Sequence, residues 1–351
     1  MQAVAFYLPQ FHVIPENEAV YGKGFTEWRN VASAVPLFAG HYQPHEPHEL
    51  LGRYDLTDEK TLTLQHRLAY DNGVKAFCYY YYNIAGRPLL DKPLELVNKS
   101  AHIQNNFCFC WPHVSWRDNR QGTSAPPFIR QIYSEDAARS LIRDLEQYFI
   151  NPRYIRIHNK PLLLVWAPEL FEANGGLPMA LYSAVWREET RRMGLEGLHL
   201  AGLESFMGNH PKLFDFDCMV EFAPNWDKKN EVSLPGEQPR RIDYVKTVSD
   251  MLLKEKPDYI RMRCAFPGWD NTPRRGKHGL ACVNASPGAF ECMLETMAEY
   301  TRKNLPEDHQ YLFINAWNEW GEGCHLEPDK KFGFIYLDIV RDTLKKFPDS
   351  A

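Results

Sequence analysis

Residues 161–166 read PLLLVW. The run is apolar on both alternating faces, the pattern of a strand covered from two sides rather than one with a wet face. Working outward from it, runs of the same kind recur at Ala3–Pro9 (AVAFYLP), Lys75–Tyr82 (KAFCYYYY), Asn105–Trp111 (NNFCFCW), Leu198–Glu204 (LHLAGLE), Cys218–Phe222 (CMVEF), Arg261–Phe266 (RMRCAF) and Tyr311–Trp317 (YLFINAW). Between them lie stretches with helical spacing of apolar residues: Thr57–Asn72, Ser134–Phe149, Leu177–Met193, Asp243–Lys256 and Pro287–Lys303. Eight strands alternating with helices predict an α/β fold, a single (β/α)8 barrel over residues 1–351 with long βα loops. A doubly wound open sheet is the alternative, but no GxGxxG follows any strand. The stretch from Ser205 to Asp217 is short for a helical crossover. Two connections, Gln10 to about Leu56 and Ala223–Arg241, read as long loops of the kind that carry function.

The composition narrows the classes of function. Of 351 residues, 44% are hydrophobic and 24% charged, and 40 Lys and Arg against 45 Asp and Glu leave a net charge of −5. That is globular composition without a basic block, so it does not point to a nucleic-acid partner. No apolar stretch approaches the roughly 20 residues of a membrane span. MQAVAFYLPQF lacks the features of a signal peptide, which predicts a cytoplasmic protein as written, or a periplasmic or exported one if a leader was removed. The eight cysteines are scattered through apolar runs and read as free thiols. The 9 Trp, 18 Tyr and 20 Phe serve equally as core filling and as faces for sugar rings.

In a barrel of this kind the chemistry sits at the C-terminal ends of the strands. Just past each run stand Gln10, Asn83, Trp111 with His113, Glu169, Glu204, Glu221, Trp269 with Asp270, and Asn318 with Glu319. Amides, acids and indoles in that position suit a neutral, hydroxyl-rich ligand. The densest cluster is Asn315-Ala-Trp-Asn-Glu-Trp-Gly-Glu-Gly323. Glycosidic cleavage needs two carboxyl groups, and Glu319 and Glu322 supply them three residues apart. Gly321 and Gly323 would let the backbone turn both acids into one pocket, and Trp317 and Trp320 would desolvate one of them into a general acid. Two further patches, Gly24–Trp28 with His41–His45 and Pro267–Arg275, mix Trp with amides, acids and Arg. His41, His45 and His48 suggest zinc, but the intervening prolines and the lack of an HExxH helix weigh against it, so neither metal nor cofactor is expected.

FYLPQFH (6–12), GKGFTEW (22–28), LFAGHYQPH (37–45), FCYYYY (77–82), PGWDNTPRRG (267–276) and INAWNEWGEGCHLEPD (314–329) resemble the WbsX-type family. Those proteins have been called glycosyltransferases and occur in surface-polysaccharide gene clusters; they are similar in turn to glycoside hydrolase family 99, the endo-α-mannosidases, which are (β/α)8 barrels. The resemblance implies that Glu319 acts as base on the substrate's own 2-hydroxyl, forming a 1,2-anhydro sugar. It implies Glu322 as general acid and then as base on water. It also places Tyr7, Gln10, Trp28 and the Tyr79–Tyr82 run at pocket-lining positions. After Trp111 the family pattern usually reads Ala-Asn-Glu-Asn-Trp, whereas here it is Pro112-His-Val-Ser-Trp116.

The leading expectation is therefore a retaining glycoside hydrolase acting on an oligosaccharide or polysaccharide with α-mannoside-like or related bacterial linkages. Its candidate substrate-binding residues are Tyr7, Gln10, Trp28, His41, Tyr42, Tyr80, Tyr82, Trp111, Glu204, Glu221, Trp269, Asp270, Asn271, Trp317 and Asn318. The alternatives are a glycosyltransferase of surface polysaccharide (O-antigen) biosynthesis and a catalytically silent glycan-binding protein. The sequence leaves the oligomeric state open.

Overall fold

The computed structural model describes residues 1–118, 120, 125–205, 209–224 and 228–348. Nine parallel segments form a nearly closed barrel: β1 Gln2–Tyr7, β2 Val74–Tyr80, β3 Asn106–Trp111, β4 Lys160–Trp166, β5 His199–Glu204, β6 Cys218–Glu221, β7 Arg261–Met262, β8 Cys264–Ala265 and β9 Tyr311–Ile314. β7 and β8 are halves of one stave interrupted at Arg263; the first pairs with β6 and the second with β9. β1 closes the ring against β9, with Val4 opposite Phe313. The predicted runs are therefore the observed staves, in order. Inside, Phe6 meets Tyr80, Phe222 and Phe313 at ring separations of 5.9, 5.7 and 5.5 Å, so the barrel is filled by an aromatic plug rather than open.

The helices follow from their caps and apolar stripes. α1 Pro15–Tyr21, α2 Glu27–Ser33, α3 Glu59–Asp71, α4 Lys92–Lys99, α5 Glu135–Phe149, α6 Met179–Arg192, α7 Tyr244–Leu252, α8 Thr272–Arg275, α9 Pro287–Asn304 and α10 Ile335–Lys345 are the helical segments. Ser134 and Ser286 cap α5 and α9 by accepting from the amides of Ala137 and Ala289. α5 buries Leu141, Ile142, Leu145 and Phe149, each worth about 1.5–3 kcal/mol of transfer free energy. Between β5 and β6 the described residues form a 3-10 turn, Pro211–Phe214, and no α-helix, in keeping with the short spacing.

The first βα connection departs from the reading of it as a structureless loop: it folds into α1 and α2. Each helix has 7 residues, too few to print a periodicity. Trp28 on α2 anchors this connection, donating from Nε1 to the Tyr54 carbonyl at 2.7 Å and packing on Phe11 and Trp320. The eight cysteines are free. Among the described residues no helix is long and apolar enough to cross a membrane.

Candidate active site

Past β9 the chain makes a small hairpin. Asn318–Glu319 pairs antiparallel with Cys324–His325, and a 3-10 turn, Trp320–Glu322, joins them. Asn318 fixes the base of this hairpin: its side chain accepts from the Leu8 amide at 2.7 Å and donates to the Leu8 carbonyl at 3.0 Å. The two glycines serve different ends. Gly323 has φ +55°, a left-handed conformation that costs glycine least. Gly321 is required by space, because a Cβ there would stand 1.9 Å from Glu27 Oε1.

That close approach exposes the centre of the site. The Arg274 guanidinium donates from Nε to Glu27 Oε1 at 2.6 Å, from Nη1 to Glu322 Oε1 at 2.6 Å, and from Nη2 to Glu319 Oε2 at 2.7 Å. One cation, on α8, thus holds three carboxylates, one from α2 and two from the hairpin. Burial pushes the Glu322 carboxyl up to about 8, with Glu319 and Glu27 adding repulsion and Arg274 opposing. Burial also raises Glu319, again against the pull of Arg274. Neither Trp317 nor Trp320 lines the cavity beside these acids. Both indoles are wholly buried in the core. Trp320 donates to Glu327 Oε2 at 2.6 Å, and Glu327 also receives Tyr54 Oη and Gln65 Nε2.

A cavity of about 940 Å³ opens above these acids. Of the predicted site residues, Gln10, Tyr80, Tyr82, Trp269, Asn271, Glu319 and Glu322 line it. Burial raises the phenols of Tyr80 and Tyr82, so both remain hydroxyl donors. The unusual segment after β3 forms part of the wall through Pro112, Val114, Ser115 and Trp116. A second cavity of about 370 Å³ shares Trp269 with the first and is bounded by His41, Tyr42 and Asp270. There Asp270 Oδ2 accepts from Gln43 Nε2 and meets His41 Nε2, each at 2.6 Å.

The other predicted residues lie outside the lining of both cavities. Tyr7 points to the opposite face of β1 from Phe6 and donates to Gln65 Oε1 on α3 at 2.7 Å. Trp28 and Trp317 are core, and Asn318 is the hairpin tie already described. Trp111 packs edge-on against Trp186, with Nε1 on the Asn83 carbonyl. Glu204 and Glu221 sit opposite each other in register on β5 and β6. Glu204 accepts from Tyr259 Oη at 2.7 Å, while Glu221 is gripped by Lys254 and Arg263, both at 2.7 Å. The loop histidines are dispersed: His41 goes to Asp270, His45 to His325, and His48 packs on Phe334. Sequence reasoning missed Glu27 and Arg274 as site residues, although both lie inside motifs it had picked out. Their link spans 247 positions and leaves no local spacing to read.

Residues 3–340 match the family model described as Glycosyltransferase WbsX. Two curated relatives from strains of Xanthomonas campestris pv. campestris, each named Uncharacterized protein WxcX, are 39% identical to this chain over 355 residues. The match takes in 99% of this chain and 50% of each relative, so the chain spans about half the length of the curated relatives it matches. Among solved structures, the GH99 endo-alpha-mannosidase from Bacteroides thetaiotaomicron is similar with a TM-score of 0.64 at 16% identity, covering 99% of this chain and 97% of that one. A chain titled glycoside hydrolase-like protein aligns with a TM-score of 0.57 at 12% identity, over 97% and 93%. At such identities the likeness is one of fold. With a whole-length family match and a barrel of that shape, the chain belongs to the WbsX glycosyltransferase family.

Proposed function

We propose that the protein is a glycan-active enzyme, and specifically a retaining glycoside hydrolase for α-mannoside-like or related bacterial linkages. The observation that carries this reading is the gripping of Glu319 and Glu322 by one guanidinium at the foot of the large cavity. Arg274 takes one oxygen of each acid, which leaves Glu319 Oε1 and Glu322 Oε2 for the substrate. A carboxyl held near 8 keeps its proton at neutral pH, as a general acid requires.

In the reaction, Glu319 takes the proton of the sugar 2-hydroxyl as that oxygen attacks C1. The bond from C1 to the leaving oxygen breaks as Glu322 protonates that oxygen. Glu322, now a carboxylate, removes a proton from water. The water oxygen attacks C1, the anhydro ring opens, and O2 recovers its proton from Glu319. Two displacements at C1 retain configuration. Tyr80, Tyr82 and Trp269 offer hydroxyls and a ring face to the sugar, and the supporting fold likeness is to an endo-α-mannosidase.

A second reading, transfer from a phosphorylated sugar donor, is favoured by the cavity rim. Besides Arg274 it carries Arg117, Arg120, Arg130, Arg240 and Arg275. Guanidinium groups bind phosphate oxygens in pairs. Mass spectrometry of an α-linked oligosaccharide and bacterial polysaccharide panel, with wild type and Glu322→Gln, first without and then with added nucleotide sugars, decides between them. Shortened products from wild type alone support hydrolysis. Products that need an added nucleotide sugar support transfer and overturn it.

A further inference from the structure

We propose that His45, His325 and Asp329 form a binding site for a divalent first-row transition-metal ion, which fastens the first βα connection to the segment bearing Glu319 and Glu322. His45 Nδ1 lies 2.9 Å from His325 Nε2, and Asp329 Oδ2 lies 4.0 Å from the same Nε2. One ligand atom from each of the three falls within 4.8 Å of the others. Donors on a tetrahedral ion with bonds of about 2.0–2.2 Å stand roughly 3.3–3.5 Å apart. The histidine pair needs only to open slightly and the carboxylate to close.

The orientation of His325 is the second argument. Its Nδ1 sits 2.9 Å from the Glu327 carbonyl oxygen, which only accepts, so Nδ1 carries the ring hydrogen. Nε2 is therefore a lone pair directed at His45 and Asp329. Ligating imidazoles are held in this way, their far nitrogen donating to a carbonyl or carboxylate. Trp320 stacks on the same ring at 3.7 Å and 18°, which sets its plane. Asp329 is also steered: its Oδ1 accepts the Phe332 amide at 2.5 Å, leaving Oδ2 for the ion.

The three side chains line the smaller cavity, which gives the ion an open side beside Asp270 and His41. Two imidazoles and one carboxylate suit zinc and its neighbours rather than calcium or magnesium. His45 and His325 lie 280 positions apart, so the ion would bridge the two chain segments that meet over the barrel mouth.

The test uses no glycan, so it stands apart from the reading of Glu319 and Glu322. Protein stripped with a chelator is titrated with Zn²⁺ against a chromophoric indicator. His45→Ala and Asp329→Asn are run beside it, together with His199→Ala, which breaks the buried His199–Cys218–His309 cluster instead. The expected result is an equivalent of tightly held zinc that His199→Ala keeps and His45→Ala loses. The loss in affinity should exceed the roughly 10- to 100-fold typical of removing an outer partner. Asp329→Asn, which retains Oδ1 for Phe332, decides if His45→Ala does not fold. No zinc retained by wild type, or equal retention in His45→Ala and Asp329→Asn, overturns the site. So does a thiolate charge-transfer band on substituting Co²⁺, which would place the ion on a cysteine and not on His45, His325 and Asp329 alone.

Discussion

Two buried glutamate sites stand on neighbouring parts of this barrel, and they solve the same electrostatic problem in opposite ways. Glu221 on β6 is 0% exposed and has two cations to itself, Lys254 and Arg263. Burial alone would raise its carboxyl, yet the pair holds it below the usual range. At Arg274 the ratio is reversed: one guanidinium serves Glu27, Glu319 and Glu322, and Glu322 is left near 8. In the first arrangement both carboxylate oxygens are taken, one by each cation, and none is left for a ligand. The second is under-compensated and faces a cavity. Counting cations per buried acid therefore separates the scaffold from the site more sharply than position at a strand end does.

The comparison breaks most directly at Glu322. Replacing it with Gln should cut turnover by about 10²–10⁴ while leaving the urea midpoint unchanged or higher, since it relieves crowding. Unchanged turnover would remove Glu322 from the chemistry. For the wild-type protein, kcat/KM should fall as pH rises through about 8, where Glu322 loses its proton.

Arg274→Met should act on stability as well as rate. Without the cation, Glu319 and Glu322 rise further above the unfolded value of about 4.3. A carboxyl raised on folding costs stability above its unfolded pKa, and the cost fades as pH falls. Unfolding in urea should thus show a loss of at least about 3–5 kcal/mol at pH 8 and a smaller one at pH 5. A pH-independent loss would mean that the guanidinium matters only as packing.

Glu221→Gln sharpens the other side. It strands Lys254 and Arg263, so stability should drop by about 3 kcal/mol while kcat of the folded fraction stays at the wild-type level. A fall in kcat with stability intact would return Glu221 to the site. Gly321→Ala carries the smallest expected effect: a Cβ pressed on Glu27 should cost about 1–3 kcal/mol by thermal unfolding and loosen the Arg274 cluster.

The fold was legible because parallel strands buried on both faces print as continuous apolar runs, PLLLVW above all. Helices α1 and α2 were not, for want of length. At the site, Glu319 and Glu322 were readable from a dense local motif. The pleat was the missing information for Glu204 and Glu221. Being opposite each other in register, they share one face of the sheet, and their partners Tyr259, Lys254 and Arg263 hold them away from the large cavity. Trp317 and Trp320 flank the short strand Asn318–Glu319, and both indoles are buried as packing beside it. Arg274 and Glu27 meet through tertiary contact alone.

The tie between Asn318 and Leu8 spans 310 positions, and β1 finds its last neighbour only in β9. A ribosome adding roughly 5–20 residues per second takes about 15–60 s to cover that interval. Over most of it Glu27 has been made while Arg274, Glu319 and Glu322 have not, so the nascent chain carries an acid whose partners are still missing. The site is thus assembled only after the last strand and its hairpin have emerged, and a chain that stalls before them lacks Glu319 and Glu322 altogether.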